Sequence, residues 1–201
     1  MNPKIVVSDF DGVLGNSLPT AINIVREIVR LFDKSESVNS FEDYRRLLGK
    51  QTTLRGVSPE QTETLRELHR IVMEHRGHEI KLFSGVLRVY SQLKHKPFIS
   101  SSSYSGTIKK ALGEYTDAFE AVHGFDSGKK EDVLAKLKSD MDFIYITDSK
   151  VDIKRCRQVG VPVIATGWGY DAVETLQNAE PDFFAADCME LKTILKNLNL
   201  I

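Results

Sequence analysis

The chain has 201 residues, with 27 Lys and Arg against 28 Asp and Glu and a formal net charge of −1. That length implies one domain, or one domain carrying a modest insert, and 41% hydrophobic with 27% charged residues is ordinary globular composition. The balanced charge argues against a nucleic-acid partner. No apolar run reaches the ~18–20 residues of a membrane span, no signal-like segment opens the chain, and Cys156 and Cys188 form neither a disulfide framework nor a zinc pattern. A cytoplasmic protein, monomer or homodimer, is therefore expected.

Residues 4–10, a short β-branched run ending in acidic residues and glycine, read as a buried strand. From 17 to 79 the pattern is helical only. Leu18, Ala21, Ile22, Val25, Ile28, Val29 and Phe32 keep a 3.6-residue period, and Ser40 with Asp43 caps a second helix. Ser58 with Gln61 forms a capping box, Pro59 takes the first helical position, and Leu65, Leu68 and Ile71 are the expected apolar face. Beyond residue 80, strands expected at 97–100, 121–125, 143–147, 161–165 and 182–186 alternate with helical patterns. This alternation implies an α/β fold: a Rossmann-like parallel sheet with helices on both faces. Residues 1–16 and 80–201 would form the core, and 17–79 a small helical cap inserted after the first strand. Chemistry in such sheets lies beyond the carboxyl ends of the strands.

Four expected strand ends carry reactive residues. Asp9-Phe10-Asp11-Gly12 sends two carboxylates to the same side of a strand, suited to nucleophilic and proton-transfer work or to a hard cation. Ser100 to Ser103, before Gly106 and a helix, offers hydroxyls and backbone N–H groups to an oxyanion. Lys129 and Lys130 open a helix against its macrodipole, which calls for an anionic partner. Asp148 closes a strand, and Asp152 lies one helical turn further on.

In this order, the four motifs resemble those of the haloacid dehalogenase superfamily. They are matched as Asp9 and Asp11, a strand-end serine, a helix-opening lysine, and Asp148 with Asp152. The helical insert is similar to that of the phosphoglycolate phosphatase and β-phosphoglucomutase branch. Thr147 replaces the usual glycine of the fourth motif, and Lys129-Lys130 the usual lysine-proline of the third. Lys130, three and four residues before Val133 and Leu134, is favoured over Lys129, and Ser101 over Ser100.

The resemblance implies a Mg²⁺-dependent phosphatase acting on a small phosphorylated metabolite. Asp9 would be the nucleophile and Asp11 the general acid and base. Ser101, Ser102 and Lys130, or Lys129, would bind phosphate. The candidate metal ligands are Asp9, Asp11, Asp148 and Asp152, with the backbone carbonyl of Asp11 in the closer reading and Asp152 orienting the lysine. Retention of Asp11 disfavours dehalogenation, since a leaving halide needs no proton. A phosphomutase, with Arg55 as a cap contact, is the alternative. A receiver-like phospho-acceptor is a third reading, disfavoured by the motif order. His69, His75 and His78 read as surface histidines. Cys156 reads as a core residue, Trp168 and Tyr170 as packing residues with a substrate contact from the core side as the alternative, and Lys94-His95-Lys96 as a solvated turn.

Overall fold

The computed structural model describes residues 3–32 and 57–201. Its main sheet is parallel and six-stranded. The strands are β1 (Ile5–Ser8), β4 (Phe98–Ser100), β5 (Val122–His123), β6 (Phe143–Thr147), β7 (Val163–Thr166) and β8 (Phe183–Ala185). They lie in the order β5-β4-β1-β6-β7-β8. The first strand of the chain is thus central, flanked by β4 through Val7↔Phe98 and by β6 through Val7↔Tyr145. The sequence order doubles back at β1, so the ends of β1, β4 and β6 share one crevice.

The two-residue period of the strands divides the core. Val6, Ile99, Ile144, Ile146 and Ile164 face one apolar cluster, while Val7, Phe143, Tyr145, Val163 and Ala165 face the other. The first is covered by α3 (Ser84–Tyr90), α4 (Ser105–Leu112) and α8 (Cys188–Asn197). The second is covered by α5 (Lys130–Asp140), α6 (Lys150–Val159) and the short α7 (Val173–Gln177). Cys156 is buried in this second cluster, as its place on the apolar face implied.

Two further helices, α1 (Leu18–Arg30) and α2 (Pro59–His75), pack on each other and join the first apolar cluster. The chain enters α1 and leaves α2 along a small antiparallel ribbon of β2 (Gly15–Asn16) and β3 (Lys81–Leu82). The sequence gives no sign of this ribbon, because two-residue strands are too short to show a period. The capping box at Ser58 forms: Gln61 N–H donates to Ser58 Oγ at 3.1 Å, and Ser58 N–H to Gln61 Oε1 at 3.2 Å.

The apolar face of α2 differs from expectation. Thr62, Leu65, His69 and Met73 are buried, whereas Ile71 is 48% exposed. A step of three residues turns a helix by only 300°, so the series 65, 68, 71 drifts around it. The three- and four-residue steps from 62 to 73 hold one face. His69, read as a surface histidine, is therefore an inward residue; His75 and His78 are exposed as expected. The helix expected to begin at Ser40 lies outside the described residues.

Candidate active site

Asp9 extends β1, its N–H donating to the Ile146 carbonyl at 2.8 Å. The chain then turns sharply. Leu14 and Gly15 N–H both donate to the Phe10 carbonyl, and Phe10 is fully buried as the anchor. Gly12 has a φ of 73°, and a Cβ there would overlap the Asp148 carboxylate. A Cβ at Gly169 would overlap the same side chain. Two glycines thus cradle Asp148, whose Oδ2 accepts from the Tyr170 N–H at 2.7 Å.

The four strand ends meet around Asp9. Lys130, the first residue of α5, is buried, and its Nζ donates to Asp9 Oδ2 at 2.9 Å and to Asp152 Oδ2 at 2.5 Å. Its ammonium lies 5.6 Å from the centre of the Tyr145 ring. Lys129, one residue earlier, is exposed at the helix cap. The structure brings Ser101 to Asp11, Oγ donating to Oδ2 at 3.0 Å, while Ser101 Oγ accepts from Ser103 N–H at 3.1 Å. Ser100 is also buried, but its carbonyl serves the Tyr145 hydroxyl at 2.7 Å. Ser102 is exposed and borders the cleft. Arg55 lies outside the described residues.

Several neighbours complete the cluster, of which Ser17 and Arg155 were not singled out in the sequence. Ser17 Oγ donates to Asp11 Oδ1 at 2.5 Å. The Tyr170 hydroxyl, read as packing, accepts from Leu18 N–H at 2.9 Å and lies 3.1 Å from Ser17 Oγ. It fastens the loop beside Asp148 to the start of α1. Thr147 Oγ1 lies 3.5 Å from Asp9 Oδ2 and 3.4 Å from Asp152 Oδ2. Arg155 Nη1 donates to Asp152 Oδ1 at 2.7 Å. The Trp168 indole N–H packs in and donates to the Val13 carbonyl at 3.3 Å.

Electrostatics divides the carboxylates. Burial pushes the Asp9 pKa well up; Lys130 opposes this, and Asp152, Asp148 and Asp11 add to it. Burial likewise pushes Asp148 up to about 7, with Asp11 adding to the shift. Burial also acts on Asp152, but Lys130 and Arg155 outweigh it and hold that group down at about 2. One lysine serves two carboxylates, and the second cation makes Asp152 the firmly ionised one. Burial alone would lower Lys130, yet Asp152 and Asp9 hold its ammonium above the usual range.

Among the described residues, no three carboxylate, imidazole or thiolate side chains form a ready metal cage. The residues nevertheless fit a hard cation. Asp9 and Asp148 are carboxylates raised chiefly by burial, with neighbouring carboxylates adding to it, a charge penalty that a dication relieves, and such ions complete their shells with carbonyls and water. Asp11 and Asp152, candidate ligands in the sequence, have their carboxylates engaged by Ser17 and Ser101, and by Lys130 and Arg155. This favours two side chains with the Asp11 carbonyl over four side chains.

The cluster opens into a cleft of about 930 Å³ between the strand ends and α2. Asp9, Asp11, Lys130 and Asp148 line one side, and Arg66, His69 and Arg70 the other. The Arg70 guanidinium lies 5.1 Å from the centre of the Tyr104 ring, closing one end.

Residues 6–166 match the family model described as haloacid dehalogenase-like hydrolase. The chain is 27% identical over 196 residues to the phosphoglycolate phosphatase of Synechococcus elongatus, covering 90% of this chain and 91% of that protein. A haloacid dehalogenase-like hydrolase from Streptococcus pneumoniae superposes with a TM-score of 0.79 at 19% identity, over 96% of this chain and 99% of its own. A hydrolase from Pseudomonas syringae does so with a TM-score of 0.71 at 19% identity, over 96% and 98%. These two share the fold, whose α/β architecture is the one the strand and helix alternation implied. With its four motifs gathered at one sheet edge and the family model spanning most of its length, the chain belongs to the haloacid dehalogenase-like hydrolases.

Proposed function

We propose that this hydrolase is a Mg²⁺-dependent phosphatase acting on a small phosphorylated metabolite through an aspartyl-phosphate at Asp9. The observation that carries the reading is the Lys130 ammonium bonded to Asp9, with Asp11 held by Ser101 one step further along the same turn. The likeness to a phosphoglycolate phosphatase supports it and makes phosphoglycolate the first substrate to assay.

In the first half-reaction an Asp9 oxygen attacks phosphorus, and the bond to the leaving oxygen breaks as Asp11 donates its proton there. In the second, Asp11 takes a proton from water, the water oxygen attacks phosphorus, and the bond to Asp9 breaks to restore the carboxylate. Ser101 and Lys130 bind the remaining phosphate oxygens, a positioning and charge-balancing role suited to phosphoryl transfer. Asp9, Asp148 and the Asp11 carbonyl would hold Mg²⁺, which supplies charge neutralisation between carboxylates and phosphate dianion. Asp152 orients Lys130. Residues 17–79 act as a cap, a reading supported by α2 bordering the cleft opposite Asp9, and residues 1–16 and 80–201 as the catalytic core.

Phosphate release from p-nitrophenyl phosphate and phosphoglycolate tests this. Turnover with Mg²⁺ that is lost in EDTA and in Asp9→Asn is expected. Turnover unchanged by either treatment overturns the mechanism.

A further inference from the structure

The buried acidic cluster contains a cation that the mechanism above does not use. Arg155 lies one turn along α6 from Asp152 and takes its Oδ1 at 2.7 Å, while Lys130 takes Oδ2 at 2.5 Å. Arg155 Nε is also 3.3 Å from Glu131 Oε2, and Glu131 directly follows Lys130 on α5. Four side chains from two helices therefore alternate in sign around a circuit: Lys130, Asp152, Arg155, Glu131, closed by the peptide bond between 130 and 131. Asp152 is buried, with 3% of its side chain exposed, and Arg155 reaches it from the cleft wall with 32% exposed.

The geometry has a consequence for Lys130. An ammonium shared by two buried carboxylates is drawn towards the one whose charge is less balanced by other groups. Here the planar guanidinium occupies Oδ1 in a fixed direction. Asp152 then offers Lys130 a single oxygen, and Nζ remains within 2.9 Å of Asp9. The link between Glu131 and Arg155 ties the start of α5 to α6, fixing the backbone from which Lys130 extends.

We propose that Arg155 is a positioning residue: by holding Asp152, it keeps the Lys130 ammonium on Asp9, where the phosphoryl group is bound. The role in catalysis rests on the phosphatase reading above; the coupling of Arg155 to Lys130 does not.

The test uses the full chain, Mg²⁺ and p-nitrophenyl phosphate, with orthophosphate as a competitive inhibitor. Arg155→Met is expected to raise KM and the orthophosphate inhibition constant together by about tenfold, with kcat changed by less than about threefold. Arg155→Lys is expected to recover most of the loss. KM and inhibition constant unchanged in Arg155→Met overturn the proposal. In parallel, urea unfolding is followed for Arg155→Met, Lys130→Met and the double variant. Arg155 and Lys130 act on opposite oxygens of Asp152, so a non-additive shift of the midpoint reports coupling through it, and additive shifts overturn the proposal. Absence of turnover in the unaltered protein contradicts the phosphatase reading alone, and the unfolding cycle still decides the role of Arg155. If Arg155→Met does not fold, the same comparisons, with the same expected and contradicting results, are made with Arg155→Gln, which also removes the charge on Asp152 Oδ1.

Discussion

Lys129 and Lys130 are adjacent in sequence, yet one caps α5 in solvent and the other is buried between two carboxylates. The choice between them was legible because Val133, Leu134 and Leu137 set the inward side of the helix, and Lys130 lies on it. Removing Lys130 leaves Asp9 and Asp152 without their shared cation. Lys130→Met is expected to lower kcat/KM by about 100-fold or more, and Lys129→Met by less than about threefold, measured with p-nitrophenyl phosphate. Ser17 and Arg155 were not legible as site residues, nor were the hydrogen-bond partners of Thr147 and Tyr170. Each works through a partner set by tertiary packing, and a hydroxyl or guanidinium in a helix or loop shows no period of its own. Asp148 gives a pH prediction. Its pKa is pushed up to about 7, so below that pH a proton competes with the cation for its oxygens. The Mg²⁺ concentration for half-saturation, measured by calorimetry, is expected to rise about tenfold from pH 8 to pH 6. A value independent of pH contradicts a ligand role for Asp148.

At the scale of the element, α2 was foreseen in its start and misread in its face. The capping box depends on residues three apart and is visible in sequence; Ser58→Ala is expected to cost about 1 kcal/mol in urea unfolding. The inward histidine was hidden because the apolar positions of α2 fit two registers, and packing on α1 and α4 selects one. His69 is buried, and burial lowers its pKa from 6.5 to about 4. The unfolded chain therefore takes up a proton near pH 6.5 that the folded chain refuses until about pH 4. The contribution of His69 is full above the unfolded value and is lost as pH falls through this window. Asp148 acts in the opposite sense, since a raised folded pKa stabilises at lower pH, so the His69 effect is read as a difference between proteins. Between pH 7.5 and 5, unaltered protein is expected to lose about 2 kcal/mol relative to His69→Gln. Parallel pH dependences in the two proteins contradict the inward placement.

For the whole molecule, the parallel sheet was legible because buried strands such as Phe143–Thr147 are continuous apolar runs separated by helical periods. The strand order was not: it follows from pairings such as Ser8↔Ile146 and Ser8↔Ile99, which link segments far apart in sequence. That order makes β1 central and brings four weak local motifs to one place, so the account depends on Asp9 being the nucleophile that accepts the phosphoryl group. The most direct measurement quenches the full chain during turnover of a phosphoryl donor with Mg²⁺, reduces it with borohydride, and locates the product by peptide mass spectrometry. An acyl phosphate is reduced to the corresponding alcohol, so homoserine is expected at position 9 and is expected to be absent in Asp9→Asn. Turnover without a reducible adduct at position 9, or with the adduct on another residue, would contradict the account.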